Sequence, residues 1–286
     1  MAASPTFSDR ALQAAAARGG RLCVGIDPHA SVLHSWGLDN TVAGLERFCG
    51  TCVEAFAHTV ALVKPQVAFF ERFGSRGFAV LERTIADLRQ AGALVVADAK
   101  RGDIGSTMAG YAEAWLGEDS PLSSDAVTVS PFLGYHSLDP LLHKAEQLQR
   151  GVFVLAGTSN PEGRQVQDAR AASGRTLTEE IIAEVAASNR KHRAAGAAGG
   201  NVGVVVGATL LDPPPLDAVA GPVLMPGVGA QGAGPKDVAR IAGTNAELVF
   251  PNMSRGILAA GPGVAQLRDA VARAAENYPA GGLPRR

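Results

Sequence analysis

Short apolar, β-branched runs alternate along the chain with longer stretches whose apolar residues recur at helical spacing. The runs occupy residues 21–27, 59–66, 93–98, 124–130, 151–156, 202–207, 222–226 and 247–251, each bounded by Gly, Pro, Asn, Asp or Ser. Their hydrophobicity is nearly continuous rather than alternating, which predicts strands buried on both faces, as in a parallel sheet. Helical spacing predicts helices over 41–58, 77–91 and 137–148, with Phe78, Leu81, Ile85 and Leu88 on one stripe of the second. Thr176 and Glu179 form a capping box ahead of Leu177, Ile181 and Val185, and Pro235 suits a first helical turn. A last helix over 263–276 carries Val264, Leu267 and Val271. Eight strands alternating with helices predict an α/β fold, a (β/α)8 (TIM) barrel, rather than an open doubly wound sheet.

The length of 286 residues suits one such barrel, so a single domain over 1–286 is expected, with a flexible N-terminal segment and a disordered tail over about 279–286. With 47% hydrophobic residues, 19% charged residues and a net charge of −1, the composition is that of an ordinary globular chain. Basic and acidic residues are interspersed, so a nucleic-acid partner is not expected. No apolar run approaches the roughly 18 residues of a membrane span, and the N-terminus lacks a signal-peptide pattern. Hence no membrane association is expected, and a cytoplasmic location is. Cys49 and Cys52 form a C-x-x-C pair, but they fall on the apolar face of a predicted helix beside Leu45, Phe48 and Val53. Buried small residues explain them better than a metal or redox pair. No His-based metal spacing occurs among the six histidines, and no cofactor motif is found.

A barrel carries its chemistry at the C-terminal ends of its strands. There the chain places Asp27, Lys64, Asp98, Lys100 and Ser130, with Thr158 and Ser159 after the fifth strand. Only five lysines occur, and Lys64 and Lys100 are the two that close apolar runs. In Asp98-Ala-Lys100-Arg-Gly-Asp103, residues two apart on an extended strand face the same way, so Asp98 and Lys100 are expected to project together. Two carboxylates flanking one ammonium hold that lysine protonated, which favours proton donation and carbanion stabilisation over Schiff-base chemistry. A salt-bridge network tying the third loop remains the alternative. The loop Gly227-Val-Gly-Ala-Gln231-Gly232 after the seventh strand and Arg255 after the eighth lie where barrels commonly hold phosphate, though a glycine-rich loop can also be a plain turn. The long stretch 157–175 reads as a second loop of the same face.

These blocks resemble the orotidine 5′-phosphate decarboxylase family in its longer bacterial branch. The carriers are GIDPH (25–29), KPQVAFFERFG (64–74), DAKRGDIGST (98–107), TVSPFLGY (128–135), GTSNPEG (157–163), MPGVGAQG (225–232) and NMSRG (252–256). The resemblance implies a cofactor-free and metal-free enzyme acting on orotidine 5′-monophosphate, with Lys100 stabilising charge at pyrimidine C6 and delivering the proton. It implies that Asp98 lies against the leaving carboxylate and that Asp27 and Lys64 hold the ribose. Ser159 then recognises the pyrimidine, Gln231 spans base and phosphate from a closing loop, and Arg255 binds the 5′-phosphate. It further implies a homodimer in which Asp103, with Thr107 nearby, reaches the partner's site. Rival readings are a Mg2+-dependent sugar-phosphate decarboxylase or epimerase, a class I aldolase, and an inactive nucleotide-binding barrel.

Overall fold

The computed structural model describes residues 4–281. Eight strands close into a parallel barrel in chain order: β1 (Cys23–Ile26), β2 (Leu62–Pro65), β3 (Leu94–Arg101), β4 (Ala126–Val129), β5 (Gly151–Gly157), β6 (Val202–Val206), β7 (Val223–Met225) and β8 (Val249–Met253). Closure is made by β8 against β1, with Asn252 opposite Cys23 and Met253 opposite Val24. Every predicted strand is present, because each apolar run is buried twice, toward the barrel axis and toward the surrounding helices.

The two burials separate by parity. Val24, Ile26, Val63, Val95 and Ala97 pack outward in the layer beneath the helices. Cys23, Leu62, Val96, Ala126, Phe153 and Phe250 belong to a second, interior cluster. Successive strand side chains alternate, so the residues two further on, Lys64, Asp98, Thr128 and Asn252, continue the interior face at the upper end of the barrel. Asp27, four residues after Cys23, joins them from the end of β1.

The lower end of the interior is sealed by the N-terminal helix Phe7–Ala17, which corrects the expectation of a flexible N-terminal segment from residue 6 onward. Phe7, Ala11 and Ala15 are fully buried in the interior cluster, and the Phe7 ring meets Phe153 edge-on at 5.8 Å. Thr6 and Asp9 form a capping box, the Phe7 N–H donates to Asn201 Oδ1 at 2.7 Å, and Ser8 Oγ donates to the Gly200 carbonyl at 2.6 Å. Residues 1–3 lie outside the described residues, as do 282–286 of the expected tail. Pro279 is held in place, its carbonyl accepting from the fully buried Arg21 at 2.9 Å.

The predicted helices are observed as Val42–Phe56, Gly74–Gln90, Asp139–Leu148, Leu177–Ala194, Pro235–Ala242 and Val264–Ala275. Cys49 and Cys52 are buried in the first of these, and burial pushes the Cys49 thiol up to about 12. Besides the N-terminal helix, a second substantial helix escaped the periodicity: Gly105–Leu116, after β3, buries Met108, Ala112, Trp115 and Leu116. Its glycines and alanines dilute the stripe that those four residues form. Among the described residues, no helix is long and apolar enough to cross a membrane.

Candidate active site

At the upper end of the barrel the interior residues change from apolar to charged. Asp98 is 8% exposed and Lys64 3% exposed, and their side chains meet at 2.9 Å between Nζ and Oδ2. Lys64 Nζ also lies 3.8 Å from Asp27 and donates to Gln66 Oε1 at 3.2 Å. The second oxygen of Asp98 takes the Lys100 ammonium at 2.5 Å and a hydrogen bond from Thr128 Oγ1 at 2.9 Å. Burial by itself favours a neutral carboxyl at Asp98, but Lys64 and Lys100 outweigh it and hold the group well below the usual carboxylate range. Burial likewise opposes the Lys64 charge, and Asp98 and Asp27 overcome it, so this ammonium is held above the usual lysine range. The result is an alternating chain of charges, Asp27, Lys64, Asp98 and Lys100, with both oxygens of Asp98 engaged by cations.

Asp98 and Lys100 converge as expected, but not by regular extension. Lys100 sits at φ 49°, in the left-handed region, and the β3–β4 register breaks between Ala97 and Arg101. A non-glycine residue in this conformation costs about 1–2 kcal/mol, so surrounding structure must enforce it. Arg101 is one enforcer. It is paired with Glu71 at the end of the helical turn Ala68–Glu71, donates back to the Ala99 carbonyl at 2.9 Å, and lies over the rings of Trp115 and Tyr111 at 5.5 and 5.8 Å.

The expectation of two carboxylates around Lys100 is corrected within this chain. Among the described residues, Asp98 is the ion-pair partner of Lys100, whereas Asp103 turns its Oδ1 to the Ile104 N–H at 2.8 Å. Asp103 and Thr107 lie outside the cavity lining, on the loop after β3 and at the start of helix Gly105–Leu116.

The remaining predicted residues, Asp27, Lys64, Asp98, Lys100, Ser159, Gln231 and Arg255, surround one cavity of about 680 Å³. That volume suits a nucleotide-sized ligand. Ser159, from the loop after β5, donates to Gln231 Oε1 at 3.1 Å, joining two loops across the mouth. Gln231 is carried by a loop whose Gly227, Gly229 and Gly232 all take positive φ, a path that side-chain-bearing residues would strain. Arg255 opens the helical turn Arg255–Leu258 after β8 and is exposed toward the cavity. The lining thus carries the cations Lys64, Lys100 and Arg255 against the carboxylates Asp27 and Asp98, an excess that favours an anionic ligand. Asp27 Oδ1 is buried without a hydrogen-bond donor among the described residues, leaving an acceptor at the cavity wall.

A family model described as orotidine 5′-phosphate decarboxylase / HUMPS family matches residues 20–270. The chain belongs to this family. Within it, a Corynebacterium glutamicum protein named orotidine 5′-phosphate decarboxylase is 61% identical over 280 residues, covering 98% of this chain and 99% of the relative. A Streptomyces coelicolor protein of the same name is 57% identical over 255 residues, covering 89% and 90%. The fold recurs in a crystal structure from Streptomyces avermitilis at TM-score 0.92, with 55% identity and coverage of 96% of this chain and 95% of that one. It recurs again in the Leishmania donovani OMP decarboxylase, at TM-score 0.73 and 31% identity, covering 95% and 96%.

Two members of the polar network in this family chain, Gln66 and Thr128, were not singled out from sequence. A signal existed for each. Gln66 stands two residues after Lys64, and Thr128 stands two residues after the interior Ala126 and so on the same face as Asp98 and Lys64. A hydroxyl on a strand reads as neutral, however, until its neighbours are known.

Proposed function

We propose that the protein decarboxylates orotidine 5′-monophosphate to UMP and CO2, the last step of de novo pyrimidine nucleotide synthesis, with no metal or organic cofactor. The observation that carries this reading is the Lys64–Asp98–Lys100 chain, its first two members buried and Lys100 open to the cavity, at one side of a nucleotide-sized space that has Arg255 as a further cation. Breaking the C6–carboxylate bond leaves an electron pair in the plane of the pyrimidine ring, where no ring position delocalises it. Stabilisation must therefore come from fixed charge, and it is most effective where water is excluded and the charge is already oriented. The Lys100 ammonium supplies that charge and donates its proton to C6, so CO2 leaves and hydrogen takes its place. Lys100 then regains a proton from solvent.

Asp98 pairs with the Lys100 ammonium and orients it, and its own fixed negative charge lies against the leaving carboxylate. Arg255 and the Gly227–Gly232 loop hold the 5′-phosphate dianion. Asp27, with its unused acceptor, and Lys64 take the ribose hydroxyls, while Ser159 and Gln231 read the pyrimidine. Binding energy gathered at phosphate and ribose is thereby available to the reacting centre. Engagement of both Asp98 oxygens by ammonium groups favours this chemistry over a Mg2+-bound enediolate, which needs free carboxylate oxygens. Asp103 and Thr107 complete the site of a second copy in a homodimer. Support for that comes from Ile104, Phe132 and Leu133, which are 60%, 77% and 54% exposed on the neighbouring loops, an apolar surface suited to burial in an interface. The enzyme works in the cytoplasm, and neither nucleic acid nor membrane enters the reaction.

The test is the ultraviolet spectrum of orotidine 5′-monophosphate mixed with purified protein, with and without EDTA. Conversion to UMP at equal rates in both is expected, and Lys100→Ala should lower kcat by about 10³-fold or more. Turnover that EDTA abolishes, or no turnover by folded protein, would overturn the reading in favour of a sugar-phosphate enzyme or an inactive barrel.

A further inference from the structure

Thr128 stands below the reacting centre rather than in it. It is 1% exposed, lies in the middle of β4 opposite Phe153 of β5, and is not part of the cavity wall. Its hydroxyl has one proton and accepting lone pairs, and both capacities are used by the two residues on which the proposed chemistry depends. Oγ1 donates to Asp98 Oδ1 at 2.9 Å, the same oxygen that holds the Lys100 ammonium. Oγ1 also accepts the backbone N–H of Lys100 at 3.0 Å.

That second bond falls at the break in the β3–β4 ladder. Ala97 pairs with Val127, and pairing resumes only at Arg101 with Val129. Between them Lys100 turns to φ 49°. The ladder offers its N–H no main-chain carbonyl there, and the Thr128 side chain takes that place. Pairing resumes tightly: the Ser130 N–H donates to the Arg101 carbonyl at 2.8 Å, and a Cβ on Gly102 would come within 2.4 Å of the Ser130 carbonyl oxygen. The bulge is thus confined to the residues that Thr128 bridges.

We infer that Thr128 is a positioning residue, whose single hydroxyl sets the left-handed turn of Lys100 and the orientation of the Asp98 carboxylate together. This rests on the reading of Asp98 and Lys100 as the reacting pair. The bond to Asp98 directs one carboxylate oxygen, and the bond to the Lys100 backbone directs the stem of the ammonium that the same oxygen holds. Losing the hydroxyl frees both at once, and misplacement of a catalytic group by about 1 Å costs on the order of 100-fold in rate. No ligand contact is lost, so binding of the nucleotide should be spared.

The experiment compares Thr128→Val, which keeps shape and removes the hydroxyl, with Thr128→Ser, which keeps the hydroxyl. Steady-state decarboxylation of orotidine 5′-monophosphate and equilibrium binding of UMP are measured on each. For Thr128→Val, kcat should fall about 10- to 100-fold, while KM and UMP affinity stay within about 3-fold of wild type; Thr128→Ser should restore most of kcat. A Val variant within 2-fold of wild-type kcat, or a Ser variant as slow as Val, overturns the inference. If the Val protein does not fold, Thr128→Ala and Thr128→Ser, which differ by one oxygen atom, replace it, and equal kcat for those two overturns the inference as well. Inactive wild-type protein would instead overturn the proposed function, so the two failures are distinct.

Discussion

Asp98 concentrates the electrostatics of the site on one side chain. It is buried, and it stays ionised because two ammonium groups and a hydroxyl occupy its oxygens. Its titration lies below the ordinary carboxylate range, so the stability it contributes is complete above about pH 4 and is lost as pH falls from there through its folded value. Lys64 is shifted the other way. Its contribution is complete below about pH 10 and is lost only as pH rises past that through its own raised value. Between these limits the pair should leave stability nearly independent of pH. Asp98→Asn keeps the shape but leaves Lys64 buried with only Asp27 as a distant counter-charge. Urea denaturation at pH 7 should show a loss of about 3 kcal/mol or more, because a buried charge has lost its partner. An unchanged denaturation midpoint would contradict this account of the pair.

At the scale of elements, strands were legible and some helices were not. The β-branched runs ending at Asp27, Lys64 and Asp98 announce both a strand and the polar layer above it, since parity carries each interior position to the next. Helix Gly105–Leu116 hides its stripe among glycines and alanines. Helix Phe7–Ala17 carries a Thr6-x-x-Asp9 start signal, but its role depends on an interior that only a closed barrel creates. That helix supplies a sharp test. Phe7 is fully buried against Phe153, and Phe7→Ala should cost about 3–5 kcal/mol in chemical denaturation, through lost burial and the cavity left behind. A loss below 1 kcal/mol would mean that the helix does not seal the barrel in solution. Because Phe7 sits at the opposite end from Lys100, the kcat of the folded variant should be close to wild type.

For the whole molecule, the feature that remains outside one chain's cavity is the Asp103–Thr107 segment, which includes exposed Ile104. If a second copy receives Asp103, a dimer of Lys100→Ala and Asp103→Ala chains holds one site with neither defect and one with both. Two separately inactive proteins, mixed and allowed to exchange, should then recover activity equivalent to about a quarter of the wild-type sites for random pairing of a two-fold dimer. Verified exchange without recovery would restrict each site to its own chain. Barrel closure is what makes such sharing possible, because it turns every loop after a strand toward the same face.

What the sequence by itself determined is local and periodic: eight twice-buried strands, the parity that lines up Lys64 and Asp98 at their ends, and glycines where the Gln231 loop needs positive φ. Asp27, Ser159 and Arg255 were also legible, as polar residues at or just beyond strand ends. Tertiary structure decided which of these meet. It brought residues 27 to 255 around one cavity, left Asp103 outside that cavity's lining, and used the N-terminal helix as the barrel floor. It also decided the conformation of Lys100, because a left-handed turn at a lysine is disfavoured locally. That turn is held by Thr128 from β4 and by Glu71, through Arg101, from the segment after β2. Propensity and hydrophobic period act over a few residues, whereas hydrogen bonds and ion pairs between segments some thirty residues apart exist only once the barrel has closed.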